Sequence, residues 1–427
     1  MTESKHLKAR IRDRMARTGE RYMTARRHVV DGRAAAPLDD HGWRLRGGLH
    51  PDTAAISNVL AHHGADVSEA MVLGAGGGLG AGYILWEFEA HGQPTLVLGF
   101  RNQWQYPGRW AAKTLERLGV PFELHETGGA RAAAAKLDAA LAAGRPAIAQ
   151  IDCQTLGHWH LPAYKEGSGG YPVVVHGAAG ERVRIDDRNL APLSVTREEL
   201  DAARARVGSY KHRLVICEPV EAGEERLRAA AREGLADTVE HLSARSDSFG
   251  LPAWRKWARM LVDTRDAKAW PRVFEDRVAL SGALLSAFES VEPVGSEGGH
   301  LRALYADFLD EAAALLDAPA LADAADAYRA LAQRWHDLAE VALPPALPAF
   351  AALREHAAAL HESVIARGDA GADDAARAAA QLWELRAALD REPPLDRDAA
   401  LELFGRLSER LEAIYAAEVE AAAMLRG

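Results

Sequence analysis

Near residue 220 the chain changes its hydrophobic period, and that change limits it to a sheet-bearing part followed by a helical one. Before it, short apolar runs such as "PTLVLGF", "RPAIAQI", "YPVVVHG" and "HRLVICEPV" have the length and turn-residue borders of strands in a mostly buried sheet. Between them "RWAAKTLERLG" and "ARAAAAKLDAALAAG" read as helices stopped by glycine. After it, Ala, Leu, Arg and Glu recur at helical spacing in "ALYADFLDEAAALL", "LADAADAYRALAQRWHDLAEVAL" and "RLEAIYAAEVEAAAML". Breaks fall at "EPVGSEGG", "DAPA", "LPPALPAF" and "REPPLD". The expected class is α+β: a mixed domain over 42–218 and an all-α bundle over 221–427. Tyr305, Phe308, Tyr328 and Trp335 are expected in the bundle core. The apolar stripes of the bundle suit either covering a cleft or self-association into a homo-oligomer.

A chain of 427 residues has room for two cores. Its 48% hydrophobic and 26% charged residues are those of an ordinary globular protein. No stretch approaches the roughly 18 apolar residues of a membrane span, and the N-terminus lacks the apolar segment of a signal peptide, so a cytoplasmic location without membrane contact is expected. The two cysteines, Cys153 and Cys217, cannot build a zinc cluster by themselves, and no disulfide is expected in a reducing compartment. The net charge of −10 is uneven: residues 1–36 hold ten Lys or Arg against four acids. This basic arm suits a helix docked on the acidic body or an acidic carrier protein; nucleic acid is the weakest reading, since the arm has one aromatic, Tyr22, and no binding fold follows.

Four stretches carry candidate chemistry. In "GGLHPDTAAISNVLAHHG", His50, Pro51, Asp52 and Thr53 open an amphipathic helix, with Asp52 and Thr53 of the capping type and Pro51 tolerated in the first turn. A helix start is where a cysteine thiolate forms most easily, yet the chain has a proline there. "VLGAGGGLGAGY" offers Gly76, Gly78 and Ala81 in a dinucleotide-like spacing, but a helical run precedes it and no ribose-binding acid follows, so close packing at a turn is the better reading and no cofactor is expected. "DCQTLGHWHLPAY" places His158 and His160 on one face if it is a strand, where Cys153 or His176 could complete a metal site. The bland reading is a loop with no metal. Cys153 is set at the end of a strand, without a helix terminus to lower its pKa. "GGYPVVVHGAAGERVRIDDRN" reads as a hairpin ending in Asp186 and Asp187, where an acid can orient a group on the first strand or simply pair with Arg188.

In order along the chain, "GGLHPDTAAISNVLAHHG", "EAMVLGAGGGLGAGYI", "LGFRNQW", "LPAY", "GSGGYPVVVHGAAGERVRIDDRN" and "LSVTREELDAARA" resemble the N-terminal domain of the butirosin biosynthesis protein H family. "WRKWARMLVDTRDAKAWPRVF" and "LRALYADFLDEAAALLDAPAL" are similar to the helical domain of uncharacterised function that commonly follows it. The resemblance implies a papain-like fold and a biosynthetic acyl or aminoacyl transfer from a carrier-protein thioester, through a Cys, a His and an acid. Here His50-Pro51 stands where the family reads His-Cys, and Gly169-Gly170-Tyr171 where it reads Gly-Gly-His; Asp187 alone matches. The expectation is a specialised-metabolite protein that is not a cysteine protease. It would act on a small-molecule substrate by non-covalent acyl transfer or altered acid–base chemistry through His50, Asp52, Tyr171 and Asp187. The alternative is a non-catalytic substrate- or carrier-binding scaffold.

Overall fold

Turn residues around the short apolar runs release them as strands, while the alanine-rich segments stay helical from break to break. The computed structural model describes Arg12 and residues 40–87, 94–167 and 169–426. The basic arm, Arg12 apart, lies outside the described residues, and with it the expectation of a carrier-binding segment. The order is α1 (Pro51–His62), α2 (Glu69–Ala75), β1 (Leu79–Glu87), β2 (Pro94–Arg101), α3 (Pro107–Arg117), β3 (Phe122–His125), α4 (Ala130–Ala142), β4 (Ala147–Ile151), α5 (Cys153–Leu156), β5 (Tyr171–Ala179), β6 (Arg182–Asp186), β7 (Leu193–Thr196), α6 (Arg197–Arg206) and β8 (Leu214–Cys217). Only helices follow among the described residues: α7 (Glu224–Leu242), α8 (Pro252–Val262), α9 (Trp270–Val273), α10 (Leu280–Val291), α11 (Arg302–Leu316), α12 (Ala320–Ala342), α13 (Pro348–Ile365), α14 (Ala372–Arg391) and α15 (Arg397–Met424).

Six strands form an antiparallel sheet in the order β3-β8-β4-β5-β6-β7. β4 and β8 are buried along their whole length, which is why they read as unbroken apolar runs rather than alternating ones. "PTLVLGF" departs from the expected single sheet: as β2 it pairs only with β1, in a separate two-stranded ribbon. Gly82 pairs with Gly99 in that ribbon, and a Cβ at either would reach the Trp104 indole Nε1, at 2.7 and 2.0 Å. The two glycines thus make a slot that only a strand without side chains can offer.

The ribbon packs against α8 and α10, and α2 packs against α7 and α11. One continuous apolar cluster therefore runs from Trp43 to Leu425. The composition change near 220 marks a change of element type, and the packing crosses it. Tyr305, Phe308, Tyr328 and Trp335 are buried as expected. Among the described residues no helix is long and apolar enough to cross a membrane.

A buried ion pair ties ribbon to helices. Arg302, at the start of α11, gives its Nε to Glu418 of α15 at 2.8 Å and an Nη2 to the Gly80 carbonyl of β1 at 3.2 Å. Its guanidinium lies over Phe100, Trp254 and Trp335, and the Trp335 indole N–H donates to the same Glu418 oxygen at 3.0 Å. Both partners are fully buried.

Candidate functional site

The opening helix is capped by His50, not by Asp52 or Thr53. His50 has the extended backbone of a cap, and its Nδ1 accepts the Asp52 amide at 3.2 Å, with Pro51 as the first helical residue. Asp52 is turned to Arg101 at the end of β2, a 2.7 Å ion pair whose guanidinium lies 4.3 Å from the Trp110 ring centre. Thr53 donates to Glu69 at 2.7 Å, and Glu69 also takes the amides of Leu49 and His50. Burial, then Arg101 and Arg188, hold the His50 imidazole well below its usual range. His50 is thus neutral, with its Nδ1 lone pair engaged and the proton on Nε2, so it is a donor rather than a base.

The expected hairpin of β5 and β6 is present, with Tyr171 as the first residue of β5 and Asp187 immediately after β6. Asp187 is a hub. Its Oδ1 accepts the Tyr171 hydroxyl at 2.7 Å and Arg188 Nε at 3.2 Å, and its Oδ2 accepts His158 Nε2 at 2.8 Å and Trp159 Nε1 at 2.7 Å. Burial opposes the charge on Asp187, but Arg188 and the bonds from His158 and Trp159 outweigh it and hold the carboxyl below the usual carboxylate range. Arg188 spreads over the site, giving Nη2 to the Tyr171 oxygen and Nη1 to the Leu49 carbonyl, each at 2.9 Å. It does so from φ +59°, an uncommon backbone state for a residue with a side chain, imposed by this network. Burial pushes the Tyr171 hydroxyl well above its usual value, Arg188 opposing and Asp187 adding. Tyr171 is therefore a fixed hydrogen-bond donor and not a proton source near neutral pH.

His50, Asp52, Tyr171 and Asp187 are thus drawn into one region, linked through Arg188, Leu49 and Arg101. Two open hollows lie away from these residues, one beside Phe274 and Phe404 and one beside Arg197 and Asp201.

The metal candidates do not assemble. His158 and His160 lie on a loop after α5, not on a strand, and His160 has φ +49°, so the expected shared face does not exist. His158 is committed to Asp187, and His176 stacks on Trp43. Among the described residues no three His, Cys, Asp or Glu side chains are set to hold a metal ion. Cys153 also differs from expectation: it is the first residue of the short helix α5, capped by Asp152. Its thiol is nonetheless pushed well above its usual value, by burial and then by Asp187, Glu297 and Asp152, so the helix start does not make a thiolate.

Residues that sequence reasoning did not select come from distant segments. Arg101 and Glu69 anchor α1, and the helical part supplies a segment over the site. The Ser296 carbonyl lies 3.3 Å from the Tyr171 hydroxyl, a longer alternative for its single proton. A Cβ at Gly298 would fall 2.7 Å from the Leu49 carbonyl and 2.8 Å from His50 Cα. Beside Gly295, burial pushes the Glu289 carboxyl up to about 7, with Lys165 opposing and Glu297 adding. A carboxyl whose folded pKa is raised adds stability below its unfolded value near 4.5 and loses it as pH rises through about 7. Glu289→Gln is accordingly expected to be more stable than the wild type at pH 8, by up to about 3 kcal/mol, and equally stable at pH 4, in urea unfolding at the two pH values.

Residues 50–188 match the family model described as butirosin biosynthesis protein H, N-terminal, and residues 198–363 match one described as a domain of unknown function. No curated protein matches the chain.

Proposed function

From the premise that this chain belongs to the butirosin biosynthesis protein H-like family, we propose that it holds an acyl or aminoacyl substrate of a biosynthetic route without passing the acyl group through a cysteine. The observation that carries this reading is the network at Asp187. Where a nucleophile, a base and an orienting acid are required, there are Pro51, a Tyr171 whose proton is given to Asp187, and an Asp187 saturated by four donors. Neither cysteine is available as a thiolate, since burial first, then nearby carboxylates, push Cys153 well up and Cys217 to about 12. What the site offers is donors: the His50 Nε2–H and the N–H groups of the Arg188 guanidinium beyond those given to Asp187, Leu49 and Tyr171. Donors suit a carbonyl or thioester oxygen, and they bind it without exchanging it. A papain-like arrangement, with α1 packed on β5, is part of the same proposal.

A second reading has one observation in its favour. Burial raises the Glu289 carboxyl to about 7, and its Oε1 lies 4.0 Å from where a Gly295 side chain would begin, in the segment whose Ser296 meets Tyr171, so a cysteine-independent transfer with Glu289 as the base would have a proton acceptor of suitable strength. The two readings separate on incubation with an acyl-pantetheine thioester. In native mass spectrometry the binding reading expects a complex that dissociates intact in acid. Loss of the thioester to an added amine, abolished by Glu289→Gln, supports transfer instead. An acyl adduct that survives acid unfolding contradicts both. An acidic carrier protein is the proposed partner, and deleting residues 1–36 is expected to weaken its binding and leave that of the free thioester unchanged.

A further inference from the structure

The segment 292–300 between α10 and α11 lies against His50 and Tyr171. It turns on three glycines with positive φ: Gly295 at +81°, Gly298 at +85° and Gly299 at +78°. Gly298 packs on the backbone of Leu49 and His50 so closely that a side chain cannot be admitted. The Ser296 carbonyl approaches the Tyr171 hydroxyl, and His361 of α13 accepts the Gly295 amide at 3.1 Å through Nδ1. Within the segment, the Val294 amide bonds to Glu292 and the His300 amide to Val291. The ends of the segment are anchored, with Glu292 paired to His336 at 2.7 Å, Val294 packed on the apolar core and His300 stacked on Trp335, whereas residues 295–298 meet the site through the Ser296 carbonyl and the Gly298 backbone. Such a connection opens by backbone rotation at glycines and does not require the helices to unpack.

We propose that residues 292–300 are a lid, supplied by the helical part to cover the His50–Tyr171 site, and that this is one function of that otherwise unassigned region. The lid lifts at Gly295 and at Gly298-Gly299 to admit the ligand, then returns Gly298 to the His50 backbone. The identity of that ligand rests on the reading given above; the opening itself does not.

Two buried thiols report the opening. Cys153 is buried at the start of α5, which leads into the His158-Trp159 loop bound to Asp187 beside the segment, whereas Cys217 is sealed in β8 and is reached only when the sheet unfolds. Their alkylation by N-ethylmaleimide at pH 8, followed by peptide mass spectrometry on the full chain, separates lid opening from unfolding. Cys153 is expected to react faster than Cys217 in the wild type. Gly298→Ala forces a Cβ against Leu49 and His50 and is expected to speed Cys153 by about tenfold, equal to about 1.4 kcal/mol of lost closing free energy, with Cys217 unchanged. His361→Ala, which removes the pin on Gly295 without adding bulk, is expected to act in the same direction should the alanine at 298 impair folding. Equal rates at the two cysteines in the wild type and in both variants would show a static wall and overturn the lid. Addition of the acyl-pantetheine thioester tests the ligand separately: slower Cys153 labelling supports the functional reading, while opening that ignores the thioester counts against that reading and leaves the lid standing.

Discussion

Asp187→Ala is expected to lower the unfolding free energy by about 3–5 kcal/mol, because it leaves a buried Arg188 without its charge partner and strands three further donors. Tyr171, His158 and Trp159 all spend their protons on this carboxylate, and His158 and Trp159 are buried. Arg188 keeps two bonds, to Leu49 and to the Tyr171 oxygen, and neither neutralises it. Urea unfolding at pH 7 reads the loss, and a loss below about 1 kcal/mol would contradict the hub role. The sign with pH is fixed as well. Asp187 has a depressed folded pKa, so its contribution is present above the unfolded value near 3.8 and fades as pH falls towards the folded one. The gap between the wild type and Asp187→Asn is expected to narrow below about pH 4.

Glu418→Gln is expected to cost a similar amount, about 3–5 kcal/mol, since it leaves the Arg302 charge uncompensated among Phe100, Trp254 and Trp335. Arg302 also holds the Gly80 carbonyl, so the loss is expected to loosen β1 from α11 and α15. The double substitution Arg302→Met with Glu418→Leu should recover most of the stability, because two apolar side chains in an aromatic setting need no compensation. A double-mutant cycle in urea measures this, and simple additivity of the two losses would contradict a coupled pair.

How far these features could be read from the sequence depends on the range of the interaction. Strands β4, β5 and β8 were legible because each is apolar along most of its length and bordered by turn residues. The helical breaks were legible because Pro and Gly interrupt an otherwise continuous period. β2 was legible as a strand but not as half of a separate ribbon, since pairing is decided by the slot that Gly82 and Gly99 make for Trp104. At the site, the hairpin and the place of Asp187 followed from local pattern. The pairing of Asp187 with His158 and of Asp52 with Arg101 did not, because they lie 29 and 49 residues apart along the chain. His158 was misread for a related reason: the HxH spacing has meaning only on a strand, and Gly157 in a left-handed conformation ends α5 and starts a loop there. The signal that a segment between helices would lie over His50 and Tyr171 was present only as "GSEGG", which reads equally well as an ordinary connection.

The central claim is that the start of α1 keeps the setting of a nucleophile and lacks the thiol and base to use it. Intact-protein mass spectrometry after incubation with an acyl-pantetheine thioester tests it on two proteins, the wild type and the double variant Pro51→Cys with Tyr171→His. The introduced thiol would lie in the first turn of a twelve-residue helix, and the introduced imidazole beside Asp187. The expected result is an unchanged mass for the wild type and one acyl group gained by the folded double variant. Acylation of the wild type, at Cys153 or elsewhere, or a folded double variant that stays unmodified, would contradict it.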